Sequence, residues 1–128
     1  MSSLIRSLML VAVAFASVGF AQQASAQEVR LEARLTGTSL ASGKATFRQK
    51  GTTIRLSVEI EDAAPNTAMT ITVRRGTRVL PIGSFTTDAF GFADLNRSGA
   101  NATVLRRGDV VIVRAGTTTV VSGTVASR

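Results

Sequence analysis

The chain has 128 residues, 15 Lys and Arg against 8 Asp and Glu for a net charge of +7, 45% apolar residues, and no His, Cys, Tyr or Trp. Without cysteine there is no disulfide framework, thiol redox centre or lipid-anchored cysteine, and without histidine the commonest general base and metal ligand is missing. The basic excess leaves nucleic acid, acidic polysaccharide and anionic lipid as ligand classes, beside a surface charge that only solubilises.

The N-terminus carries a single positive charge, Arg6, then an apolar run over residues 8–21, then Gln22-Gln23-Ala24-Ser25-Ala26. This is the three-part layout of a secretory signal peptide, with small residues Ala24 and Ala26 at the two positions the peptidase reads. Cleavage is expected between Ala26 and Gln27. A membrane span needs about 20 apolar residues, and this run is shorter, holds Ser17 and Gly19, and ends on two glutamines. The expected division is therefore a signal peptide over 1–26 and one domain over 27–128, without a transmembrane segment in the mature chain. The product is expected to be secreted or periplasmic. That domain keeps 14 of the 15 basic residues and all 8 acids.

Period-two alternation dominates the domain. Residues 28–35 read Glu-Val-Arg-Leu-Glu-Ala-Arg-Leu, every second one apolar, as a strand with one wet face requires. Ala45 and Phe47 mark a second strand, and residues 53–61 a third, with Ile54, Leu56, Val58 and Ile60 inward. Met69, Ile71 and Val73 mark a fourth. Residues 79–86 are extended but carry Pro81, which donates no ladder hydrogen bond and predicts an edge strand or a bend. Residues 92–96 come after the turn at 88–91. Residues 110–115 and 118–125 form a predicted closing hairpin about Ala115-Gly116-Thr117, and Val110-Val111-Ile112-Val113 reads as buried on both faces. Glycines at 43, 51, 76, 91, 108 and 116 punctuate the segments. The fold class is all-β: an antiparallel, Ig-like sandwich of about 7–8 strands, or a small barrel.

Catalysis would need a nucleophile beside a base, or two facing carboxylates. The serines have no histidine partner, and Asp62, Asp88 and Asp109 adjoin predicted turns, where a carboxylate commonly bonds the local backbone. Asp88 and Asp94 flank Gly91 without the spacing of a calcium loop, so neither metal nor cofactor is expected. The one constellation is cationic. Arg74, Arg75 and Arg78 surround Gly76, and Arg106 and Arg107 precede Gly108; turn arginines are free to project into solvent and attract phosphate, sulfate or uronate groups. No aromatic residue interleaves with them to stack bases. Arg30, Arg34 and Arg55 alternate with glutamates along their strands, which suggests partial neutralisation.

Residues 42–48, Ser-Gly-Lys-Ala-Thr-Phe-Arg, with Val58-Glu59-Ile60-Glu61, Gly108-Asp109-Val110-Val111 and Ser122-Gly123-Thr124, resemble small secreted bacterial all-β proteins of unassigned function. The first part also resembles CHRD-type domains, which are β-rich and extracellular. The histidine-containing segment usual there is missing, so their properties are not carried over. The leading expectation is a non-enzymatic exported structural, adhesive or interaction module of the cell envelope, with an anionic polymer or an envelope protein as partner. The alternatives are a polyanion-binding protein using Arg74, Arg75, Arg78, Arg106 and Arg107, and an enzyme of unfamiliar type.

Overall fold

Each alternating segment is a strand in the computed structural model, which describes residues 27–128. Ala24 and Ala26, and with them the proposed signal peptide, lie outside the described residues; Gln27 is exposed immediately before the first strand. In chain order the elements are β1 (Glu28–Thr36), β2 (Ser42–Lys50), β3 (Thr53–Glu61), β4 (Ala68–Arg75), β5 (Arg78–Thr86), β6 (Ala93–Ser98), a 3-10 turn at Gly99–Asn101, β7 (Val110–Ala115), β8 (Thr118–Thr124) and the short β9 (Ala126–Ser127). No described helix is long and apolar enough to cross a membrane.

Three hairpins, β2–β3, β4–β5 and β7–β8, turn on the same dipeptide: Gly51-Thr52, Gly76-Thr77 and Gly116-Thr117. In each the glycine has φ near +60°, while no threonine among the described residues has a positive φ. That is the sign pattern of a type II′ turn, whose twist matches the strands it joins. Any side chain at the first turn position would be strained there.

The strands form one antiparallel sheet in the order β5-β4-β7-β8-β1-β2-β3-β6, with β9 continuing beside β1 where β8 leaves off. The sheet curls until its two ends nearly meet. Gly83 on β5 faces β6 so closely that a Cβ there would lie 2.8 Å from Leu95 Cδ2 and 3.1 Å from Arg97 Nη2. The architecture is thus a nearly closed barrel, the second of the two all-β forms expected. Eight strands give an interior that side chains just fill: Leu35, Phe47, Leu56, Val58, Ile60, Met69, Ile71, Val73, Val111, Val113 and Val121 are all fully buried. They sit on alternate residues, as the sequence pattern requires. Ile112 has the opposite parity and is nonetheless buried. Pro81 behaves as its missing N–H predicts: β5 is an end strand of the sheet, and the β4–β5 register slips beside it, between Ile71 and Thr72.

The register also defines two ends. The lower end holds the Gly51-Thr52 and Gly76-Thr77 turns, the long 99–109 connection and β9; the upper end holds loops 37–41, 62–67 and 87–92 and the Gly116-Thr117 turn. Below, Ala102, Leu105 and Val125 close the core. Above, the buried Thr87 hydroxyl accepts from Thr67 N at 2.9 Å and donates to Ala64 O at 2.6 Å, which ties two upper loops together.

Candidate anion-binding surface

The two arginine clusters, remote in sequence, meet at the lower end. Arg74, Arg78, Arg106 and Arg107 are exposed there. Arg75 is not free in solvent, contrary to the expectation for a turn arginine. Its Nε donates to Asp109 Oδ1 at 2.9 Å and its Nη2 to Asp109 Oδ2 at 2.8 Å, with a further bond from Nη2 to Val104 O at 2.9 Å. Asp109 also accepts from Arg106 N at 2.8 Å and is only 2% exposed. The local turn bond expected of Asp109 is therefore present, but the larger interaction is a bidentate buried ion pair. Arg75, then the backbone N–H and charge of Arg106, hold the Asp109 carboxyl below its ordinary value against the opposing effect of burial. Arg75 is a clamp between β4 and the 99–109 connection. It does not belong to a free anion-binding set.

Charge is divided between the ends. Eleven of the 14 described basic residues lie in the lower part: Arg30, Arg48, Lys50, Arg55 and Arg97 on the barrel wall, the five turn arginines, and Arg128. Two acids, Glu28 and Asp109, accompany them, each already bonded to arginine, and a third, Glu32, stands midway along β1, opposite Thr46 and Ala126. Five acids, Glu59, Glu61, Asp62, Asp88 and Asp94, gather in the upper part with Arg34, Lys44 and Arg114. There Asp88 Oδ1 accepts from Phe90 N at 2.8 Å and Phe92 N at 3.0 Å, the local bonding its turn position predicts.

Within the basic half, β2–β3 pairing makes a row that alternation along single strands conceals. Arg30 lies opposite Arg48, and Arg48 opposite Arg55, with Ser98 beyond on β6. Neighbouring strands are about 4.8 Å apart, so three guanidinium groups share one stripe of the outer wall. Glu28 bonds to Arg48 and, at 3.3 Å, to Arg30, and these arginines hold its carboxyl below its ordinary value, Arg48 foremost. Arg55 makes no ion pair among the described residues. The expected neutralisation of Arg55 by its strand glutamates does not occur, because Glu59 points to the same face further up, where it pairs with Lys44 at 3.7 Å. The next row up is neutral on β2, β3 and β6, where Thr46, Ser57 and Asn96 lie opposite one another, and carries Glu32 on β1. Apart from Arg30 and Glu32 on β1, these two rows line an outer cleft of about 510 Å³, to which Arg97 and Arg128 also contribute.

Such a surface can hold anions and hydroxyl-bearing groups, since guanidinium offers only donors and stays charged at any physiological pH. No three acidic side chains converge on a common point among the described residues. No protein-family model matches the chain, and no curated protein matches it.

Proposed function

We propose that the protein is a non-enzymatic interaction module, exported to a periplasm or beyond the cell, whose basic end meets an anionic polymer of the envelope. The observation that carries this reading is the division of charge: eleven basic residues and two already-bonded acids at one end, most of the acids at the other. A one-signed surface of this kind raises the local concentration of anions and orients the molecule as it approaches them. Ten of the eleven are arginines, which cannot give up their protons and so offer fixed charge and hydrogen-bond donors in place of acid–base chemistry. Of the functions that the sequence leaves open, polyanion binding gains most from this. Its site is broader than the five turn arginines, and Arg75 is excluded from it.

The test is binding of the purified protein to an immobilised sulfated polysaccharide as a function of salt. Replacing Arg74, Arg78, Arg106 and Arg107 with serine removes up to four contacts and is expected to lower the log–log salt slope by up to about four units. Replacing Arg34, Lys44 and Arg114 should lower it far less. Equal effects of the two sets would reduce the attraction to overall charge and defeat the proposal. A second reading, docking to an envelope protein, is favoured by Leu40 and Phe90, which are 89% and 88% exposed at the acidic end.

A further inference from the structure

We infer that the cleft across β2, β3 and β6 is a binding site for an acidic polysaccharide strand, with Arg48 and Arg55 gripping its carboxylate or sulfate groups. The inference rests on the polyanion reading and assigns it a place and a ligand class. Like charges directly opposite on paired strands are destabilising, yet Arg55 stands opposite Arg48, which stands opposite Arg30. Glu28 offsets one side of this row and leaves Arg55 without a counter-charge among the described residues. An anion lying over the cleft would supply it. Guanidinium suits this because its planar fork pairs with a carboxylate or sulfate through two parallel bonds.

The neutral row narrows the ligand class. Thr46, Ser57, Asn96 and Ser98 give the cleft hydroxyl and amide groups beside the arginines. This is the pairing a uronate or sulfated sugar requires, with charge at one position and hydroxyls at the next. No aromatic side chain lines the cleft, so bases of a nucleic acid strand would find nothing to stack on. Lys50 and Thr53 extend the charged wall through an adjoining hollow that shares Arg48 and Arg55, which favours a chain of linked sugars over a single small anion.

The experiment compares two double variants of equal charge in the purified protein: Arg48→Gln with Arg55→Gln in the cleft, and Arg74→Gln with Arg78→Gln at the Gly76 turn. All four side chains are exposed, and unchanged thermal melting confirms that both variants fold. The ligands are a galacturonic acid oligomer, a heparin-derived oligosaccharide, and a single-stranded oligonucleotide of matched charge, titrated over a range of salt. The cleft variant is expected to lose about tenfold in affinity for both saccharides and about two units of salt slope, and the turn variant, whose arginines lie outside the cleft and meet a long polymer but not a short oligomer seated in it, about twofold. Equal losses in the two variants would overturn the cleft while leaving the polyanion reading in place. Tighter binding of the oligonucleotide than of either saccharide would overturn the ligand class. Failure of the unmutated protein to bind any of the three at low salt would overturn the inference and the polyanion reading together. If either variant melts early, Arg55→Gln alone, which breaks no ion pair among the described residues, answers the same question with about half the effect.

Discussion

Arg75→Ala tests how the lower end is held together. The substitution removes both guanidinium bonds to Asp109 and the bond to Val104 O, and leaves a carboxylate that is 2% exposed with only the Arg106 N–H for company. Breaking one side of a buried ion pair costs about 3–5 kcal/mol. The lower figure applies here, because the Arg75 side chain is 22% exposed and one backbone donor remains. For a domain of this size about 3 kcal/mol corresponds to a fall in melting temperature of about 12 °C or more. Asp109→Asn should cost less, about 1–2 kcal/mol, since the amide oxygen still accepts from Arg106 N and the freed arginine can turn to water. Acid titration gives a second readout with a definite sign. The folded-state pKa of Asp109 is depressed from its ordinary 3.8, so its contribution is complete above that value and disappears as pH falls through the lower folded value. Stability measured by urea unfolding, followed by circular dichroism, should therefore drop below about pH 3.8 more steeply in the unmutated protein than in Asp109→Asn. A cost below about 1 kcal/mol for Arg75→Ala, or superimposable acid profiles, would refute the clamp.

Leu56→Asp should unfold the barrel or cost more than about 4 kcal/mol, because it places an unpaired carboxylate where a side chain is 2% exposed; Ser57→Asp, on the outer face, should cost about 1 kcal/mol at most, as read by chemical denaturation. Thr87→Val keeps the shape but leaves Thr67 N and Ala64 O without their partner, and a loss of about 1–3 kcal/mol is expected in the same assay. For the proposed export signal, mass spectrometry of the released protein should find Gln27 at its N-terminus. Ala26→Arg should abolish that processing by putting a charged, bulky side chain where the peptidase takes a small one.

The strands were legible because burial on one face imposes a period of two, and Leu31, Leu56, Val58 and Ile71 keep it without exception. Whether the sheet closes was not, since a sandwich strand and a barrel strand carry the same alternation; closure depends on Gly83 meeting Leu95 and Arg97 across the two end strands. The arginine row lies between these cases. Viewed along a single strand, Arg55 has glutamates for near neighbours on its own face. Folding the chain about a two-residue turn at Gly51-Thr52 puts Lys50 against Thr53 and Arg48 against Arg55, so the turn dipeptide already contains the register. The Arg75–Asp109 pair offers no such signal, because its members are 34 residues apart, one on β4 and the other at the end of the 99–109 connection.

The neighbours of β1 come from the two extremes of the chain. On one side stands β2, contiguous in sequence; on the other stand Ser122 and then Ala126 and Ser127, the last residues but one. The three Gly-Thr hairpins need only local pairing, which forms within microseconds, whereas this closing seam spans almost the whole domain and carries the loop-closure entropy of its length. A chain still being synthesised can therefore assemble its hairpins early but cannot seal the barrel. Until β8 and β9 are available, β1 presents an unpaired edge, the condition under which strands seek partners in other molecules.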